Sequence, residues 1–348
     1  MITSELLENF RQPHPRMPSV LTSVELSRHF FSYLELSPGL VEKAQLKSSD
    51  SLTFNDAYGI LIIITSCSVI LLYFFILKVI LSDSEMNQLV VYRFIILLAV
   101  CDLLEASVHC IAGFGVIFPN FWSLALGNIL GSILVPAYFC YILTGLLLAF
   151  VRFMQIVYPE YATMLFFSSR GKYWLIIVPV AFLPYFGLMF SPLSMCAFSL
   201  TSYTWEYDLQ LPLAHFILYI EQYVEQAMIG ITCVLYIVIF VVLWKLGNVN
   251  GVSSHRERQI MYQTFFVTVY ATVLNITYHN MWWINSGKVP KIYALGTYMW
   301  VLNTAVYPLS CLGTNRLMRE KLASFRIFTV FSKKKRASLL RVKPSSHI

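Results

Sequence analysis

Between Ala106 and Val151 the chain contains no lysine, arginine, aspartate or glutamate, and over all 348 residues charged side chains make up only 12%. A soluble domain carries about 25%, so there is too little charge here to coat a soluble surface of this size. The uncharged run is also too long for one membrane helix, since roughly 20 residues at ~1.5 Å each cross the hydrocarbon. It must fold back, and Pro119, Asn120 and Trp122 supply the turn. The seven cysteines include no pair at metal-ligand spacing. There is no glycine-rich phosphate loop, nucleophile elbow or metal motif, so neither catalysis nor a cofactor or metal is expected. The halves show no repeat, which argues against a transporter built from inverted repeats. The stretch from Met1 to Asp56 has no positive n-region followed by an apolar h-region. No cleavable signal peptide is therefore expected, and the first span has to act as the start signal.

What is abundant is apolar: 57% of residues are hydrophobic and 16% aromatic, with a mean hydropathy of +0.66. Seven spans are predicted, at 57–81, 92–117, 124–153, 173–195, 213–245, 260–283 and 292–312, giving an all-α seven-helix membrane bundle. The fourth includes Pro179, Pro184 and Pro192, which membrane helices tolerate when neighbours satisfy the freed carbonyls. The one Asn-x-Ser/Thr acceptor, Asn275, falls inside the sixth span and reads as unglycosylated.

Orientation follows the basic residues of short loops. Arg93, then Arg170 and Lys172, then Lys245, Arg256 and Arg258 lie on one side. On the other side, the turn at Pro119 and the segment 196–212 have none, and the last loop has only Lys288 and Lys291. Ten more basic residues follow Asn315. This predicts an extracellular N-terminal tail (1–56), a bundle with a short following helix (57–321) and a basic cytoplasmic tail (322–348). The net charge of +7 therefore lies beside the membrane, where anionic lipid is a better partner than nucleic acid. Ser338, after the basic run 332–336, is either part of a plain lipid-apposed tail or a phosphate acceptor. Trp122, Trp282 and Trp283 on one side and Trp174 and Trp244 on the other suit interfacial belts.

The polar residues inside the spans concentrate the functional signal, because a carboxylate at bilayer depth costs ~2.5–3.5 kcal/mol on insertion scales and must face an interior. Asp102, Glu105 and His109, at i, i+3 and i+7, share one face of the second helix. They form either a structural hydrogen-bond network or a hydrated cavity that senses a cation, a proton or the activation state. Glu221 and Glu225 share a face of the fifth helix in its outer half. They either receive a cationic ligand or pair with each other and with nearby Tyr and Gln. Tyr219, Tyr223, Tyr278 and His279 are candidates for the same pocket. Cys110 and Cys196 both fall toward the outer side, where a bridge between them is possible.

Several stretches resemble a known family. Leu98-Ala99-x-x-Asp102 resembles the second helix of rhodopsin-like receptors. Val151-Arg152-Phe153, with Pro159 beyond it, resembles their Asp-Arg-Tyr segment, although the acid is replaced by Val151 and its local ion pair cannot form. In the seventh helix Asn303 and Pro308 match the family motif, while Tyr307 and Cys311 replace its second Asn and its Tyr. The sixth helix lacks the usual proline and Cys-Trp pair, the fifth lacks its proline, and Gly127 stands near the usual disulfide cysteine. These departures set the chain apart from typical amine and peptide receptors.

The stretch 147–174, with Arg152, Pro159, Leu165, Phe166, Gly171 and Lys172, is similar to the nematode serpentine chemoreceptors, most closely class T (Srt). Gln263, Asn275 and Tyr278, then Tyr298, Trp300, Asn315 and Arg319, extend the likeness. The resemblance implies a chemosensory receptor in the plasma membrane, often of a sensory cilium, that binds a small external molecule and activates a heterotrimeric G protein. It implies switch roles for Asp102, Arg152, Asn303, Tyr307 and Pro308. Two alternatives stand beside it. A ligand-gated cation channel of the insect odorant-receptor kind requires the inverted orientation, against which the loop charges run. A transporter would use Asp102, Glu105 and Glu225 as coupling groups.

Overall fold

In hydrocarbon every backbone polar group has to be satisfied within its own segment, and the apolar runs do so as helices. The computed structural model describes residues 54–84, 89–167, 171–250, 255–281, 290–314 and 316–324. The N-terminal tail up to residue 53, Arg170, Trp282, Trp283, Lys288, Asn315, the basic run 332–336 and Ser338 lie outside the described residues, as do the side chains of Lys172, Arg256 and Arg258.

Helices α1 (Phe54–Ser82), α2 (Val90–Ile117), α3 (Leu124–Val157) and α4 (Gly171–Met189) come first. A two-stranded hairpin comes next, β1 (Cys196–Ser199) and β2 (Thr204–Tyr207). Helix α5 is continuous through Ala214–Tyr219, a π-helical stretch Ile220–Glu225, and Gln226–Asn250. Helices α6 (His255–His279), α7 (Pro290–Thr314) and α8 (Arg316–Ser324) complete the described chain. The expected turn is present as a 3-10 segment, Pro119–Phe121, with Pro at its start. Ser123 then caps α3 by accepting from Leu126 N at 3.1 Å.

Helix α3 is central, touching α2, α4, α5, α6 and β1. Helix α7 closes against α1, where Tyr58 donates to the Ala294 carbonyl at 2.8 Å and the Thr65 and Tyr298 hydroxyls lie 3.1 Å apart. Outward-facing Ile64, Leu71, Phe74, Leu183, Val234 and Ile237 are exposed, a surface that hydrocarbon accepts and water does not. Helices α1, α2, α3 and the Ala214–Lys245 part of α5 are long and apolar enough to cross a bilayer, and Tyr173–Met189 is a shorter apolar helix. The protein is a multi-pass membrane protein. Helix α8 is amphipathic: Met318 and Leu322 are buried, Lys321 pairs with Asp83, and Arg319 Nη1 donates to the Leu312 and Gly313 carbonyls at 2.8 and 2.6 Å. Those bonds satisfy orphan acceptors at the end of α7.

Three expectations change. The fourth helix ends at Met189 rather than 195, because the chain turns through Ser191–Ser194 into β1 and Pro192 lies in that turn, not in the helix. The hairpin itself is new. Its register pairs Cys196 with Tyr207 and Phe198 with Trp205, so all four share the face that packs inward. Cys110 and Cys196 are not bridged. Cys110 Sγ faces Cys67 Sγ of α1 at 3.7 Å, whereas Cys196 is fully buried with its backbone N donating to Asn128 Oδ1 at 3.2 Å. In place of a covalent tie, α3 offers a smooth face. A Cβ at Gly131 would collide with the Cys196 carbonyl, and one at Gly127 would sit 3.1 Å from Ala197 Cβ. Only glycine lets the strand approach this closely.

Candidate functional site

The end of the bundle that carries the hairpin holds a cavity of about 190 Å³. Four of the residues expected there from sequence, Glu221, Glu225, Tyr278 and His279, do line it together. Both glutamates fall in the π-helical stretch, 8% and 1% exposed, and point inward from its widened turn. Glu221 accepts from the Tyr207 hydroxyl of β2. Glu225 Oε2 accepts weakly from Asn275 Nδ2 of α6 at 3.4 Å, and its Oε1 has no partner. The Thr204 and Tyr278 hydroxyls lie 3.2 Å apart, joining β2 to α6. The two acids do not pair with each other; each has its own neighbour. Tyr219 and Tyr223, also expected here, instead pack against each other on the bundle's exposed surface, with ring centroids 4.7 Å apart and planes tilted by 40°, each 57% exposed.

Glu105 and His109 are not cavity-lining residues. They lie one layer behind it, and Trp300 of α7 makes the connection. Its indole lines the cavity and its Nε1 donates to Glu105 Oε2 at 2.9 Å. The same ring meets His109, Tyr138 and Tyr278 edge-on at 5.7, 5.0 and 5.3 Å, an arrangement that aromatic quadrupoles favour. His109 also meets Trp205 of β2 at 6.4 Å. Asp102, Glu105 and His109 are each at most 1% exposed, so the expected interior column exists. Asp102 Oδ2 accepts from the Tyr73 hydroxyl of α1, while Asp102 Oδ1, Glu105 Oε1 and His109 Nε2 have no partner. Buried polar groups left in this condition cost ~1–3 kcal/mol each, and such costs cluster at sites that work.

Farther in, Asn303 lies beside Tyr141 of α3, and Tyr307 lies beside Gln263 and within electrostatic reach of Arg152. Arg152 Nη1 donates to Gln155 Oε1, a neutral acceptor one turn on in the same helix, at 3.2 Å. Pro308 sits inside α7 one residue after the buried Tyr307. It has no N–H for the Thr304 carbonyl, which weakens the helix there. Outside the spans, burial pushes the Cys196 thiol well above its ordinary range, which keeps it neutral and inert.

The residues missed from sequence are Trp205 and Tyr207, which arrive on the hairpin, and the role of Trp300. The segment Thr-Trp-Glu-Tyr does alternate with period 2, which is a strand signal, whereas Cys-Ala-Phe-Ser does not. At four residues each they were hidden among longer apolar runs.

Buried acids and aromatics thus surround a cavity inside a helical membrane bundle. The family model described as serpentine type 7TM GPCR chemoreceptor Srt matches residues 42–336. The chain belongs to that chemoreceptor family. No curated protein matches it.

Proposed function

We propose that the protein is a chemosensory G-protein-coupled receptor: a small external molecule binds the outer cavity, and a heterotrimeric G protein is activated at the opposite end. The observation that carries this reading is Trp300, one side chain that both walls the cavity and holds Glu105 of the buried column. A ligand against that indole has different contacts with different settings of α7, which is what shifts a two-state equilibrium. Three residues beyond Trp300 on the same helix comes Asn303, then Tyr307 and Pro308, so a change in α7 reaches the weakened turn beside Arg152. Arg152 and its surroundings are the proposed G-protein end.

In this reading all seven long helices span the plasma membrane, in sensory cells that of the cilium, with the N-terminal tail outside. The basic tail from residue 322 lies against anionic lipid, and Ser338 takes phosphate. The test is G-protein activation in a heterologous cell against a panel of small soluble and volatile compounds, with Arg152→Ala and Asp102→Asn at matched surface expression. A ligand response abolished by Arg152→Ala is the expected result. A ligand-evoked current that persists with G proteins blocked would replace the receptor reading with a channel.

A further inference from the structure

We infer that the outer cavity recognises a small organic cation, an ammonium or quaternary ammonium held between Glu225, Glu221 and an aromatic cage. The inference deepens the receptor reading, and rests on it only for the signalling steps after binding. Three independent features of the cavity support it. The first is charge. Among its described lining residues are two carboxyl side chains, no lysine or arginine, and a single imidazole, His279. Nothing in the wall supplies a full positive charge opposite the acids, and an ionised carboxylate buried without a counter-charge is costly. A bound cation would be that counter-charge.

The second feature is unspent bonding capacity. Glu225 is 1% exposed, lines the cavity, and leaves Oε1 without a partner. An ammonium N–H donating to that oxygen would be a charge-assisted hydrogen bond, the strong kind. Asn275 makes a weak contact with the other carboxyl oxygen at 3.4 Å, which leaves Oε1 as the uncommitted acceptor. Glu221, tied to Tyr207, adds negative potential nearby.

The third feature is the remaining wall. Tyr138, Trp205, Tyr207, Tyr278 and Trp300 all border the cavity. Aromatic faces attract cations through their quadrupole, tryptophan most strongly, and cages of such rings are how quaternary ammonium groups are recognised. The rings come from α3, the hairpin, α6 and α7, so a cation among them contacts four separate parts of the fold. Size agrees with a small ligand: an apolar cavity of about 150 Å³ admits benzene, and this one is about 190 Å³. The groups involved differ from the motifs whose absence separates this chain from typical amine receptors.

The test measures binding without any G protein, by isothermal titration on the full-length protein in nanodiscs. Choline is compared with its neutral isostere 3,3-dimethylbutan-1-ol, and benzylammonium with benzyl alcohol. At least one cation should bind about tenfold more tightly than its neutral counterpart, equivalent to about 1.4 kcal/mol. Glu225→Gln should remove that preference while neutral binding persists, and Trp205→Leu should reduce it. Because the cation-to-neutral ratio is read on the unmodified protein, the comparison stands even where a variant fails to fold. Neutral compounds binding as well as the cations, or no binding by any of the four, would overturn the inference and leave G-protein coupling intact. Cation binding with no G-protein response in cells would refute the receptor reading and leave the site standing.

Discussion

Replacing Gly131 with alanine adds one methyl group to α3, and the structure places it against the Cys196 carbonyl, a backbone atom that cannot swing aside. Gly145 lies on the same helix, and a Cβ there meets nothing within 4 Å. The two substitutions are chemically identical and share the same gain, ~0.8–1.0 kcal/mol for exchanging glycine for alanine in a helix interior. They differ in packing. Forcing a methyl into a closed contact costs ~1–3 kcal/mol, so Gly145→Ala should stabilise by about 1 kcal/mol while Gly131→Ala breaks even or loses up to about 2 kcal/mol. Thermal unfolding of both variants in one detergent gives the ordering. Amide exchange gives the location, since the strand held by Asn128 is the part that must yield. Faster exchange confined to 196–207 is expected in Gly131→Ala alone. That variant should also lose the proposed preference for cations over their neutral counterparts, because Trp205 and Tyr207 reach the cavity only on the seated hairpin. Equal melting of the two proteins with unchanged hairpin protection would refute the argument that glycine is required for the close approach.

Three other perturbations have defined outcomes. Trp300→Phe keeps an aromatic ring but removes the N–H given to Glu105. It should lower stability by ~1–3 kcal/mol, the cost of an orphaned buried acceptor, and a double-mutant cycle with Glu105→Leu should recover a coupling energy; strict additivity would show that the bond contributes nothing. Arg319→Ala removes both donations to the last carbonyls of α7, so amide exchange should quicken around residues 312–318, and unchanged rates would argue against a capping role. The Cys196 thiol, buried and pushed up from its usual range, stays neutral across the neutral and mildly alkaline range, so maleimide should label it only after unfolding. Labelling of the folded protein at neutral pH would contradict that placement.

The amino-acid sequence alone determined the helical bundle, the turn at Pro119, the burial of Asp102, Glu105 and His109, and the inward face of Glu221 and Glu225. These are local consequences of chemistry: an apolar run of sufficient length has one way to satisfy its backbone in lipid, and a carboxylate within it has one side to face. Helical spacing tells which residues share a face, but not which side chain of another helix that face will meet. That is why Tyr219 and Tyr223, so close in sequence to Glu221, proved to point outward. Only the tertiary structure decided that Trp300 reaches Glu105 across 195 residues of chain, and that Cys67, not Cys196, faces Cys110. It also decided that a short hairpin brings Trp205 and Tyr207 to the cavity. Such pairings depend on how the helices rotate and pack against each other. Two small glycines on α3 settle the hairpin's position, through the space they leave empty rather than through any contact of their own side chains.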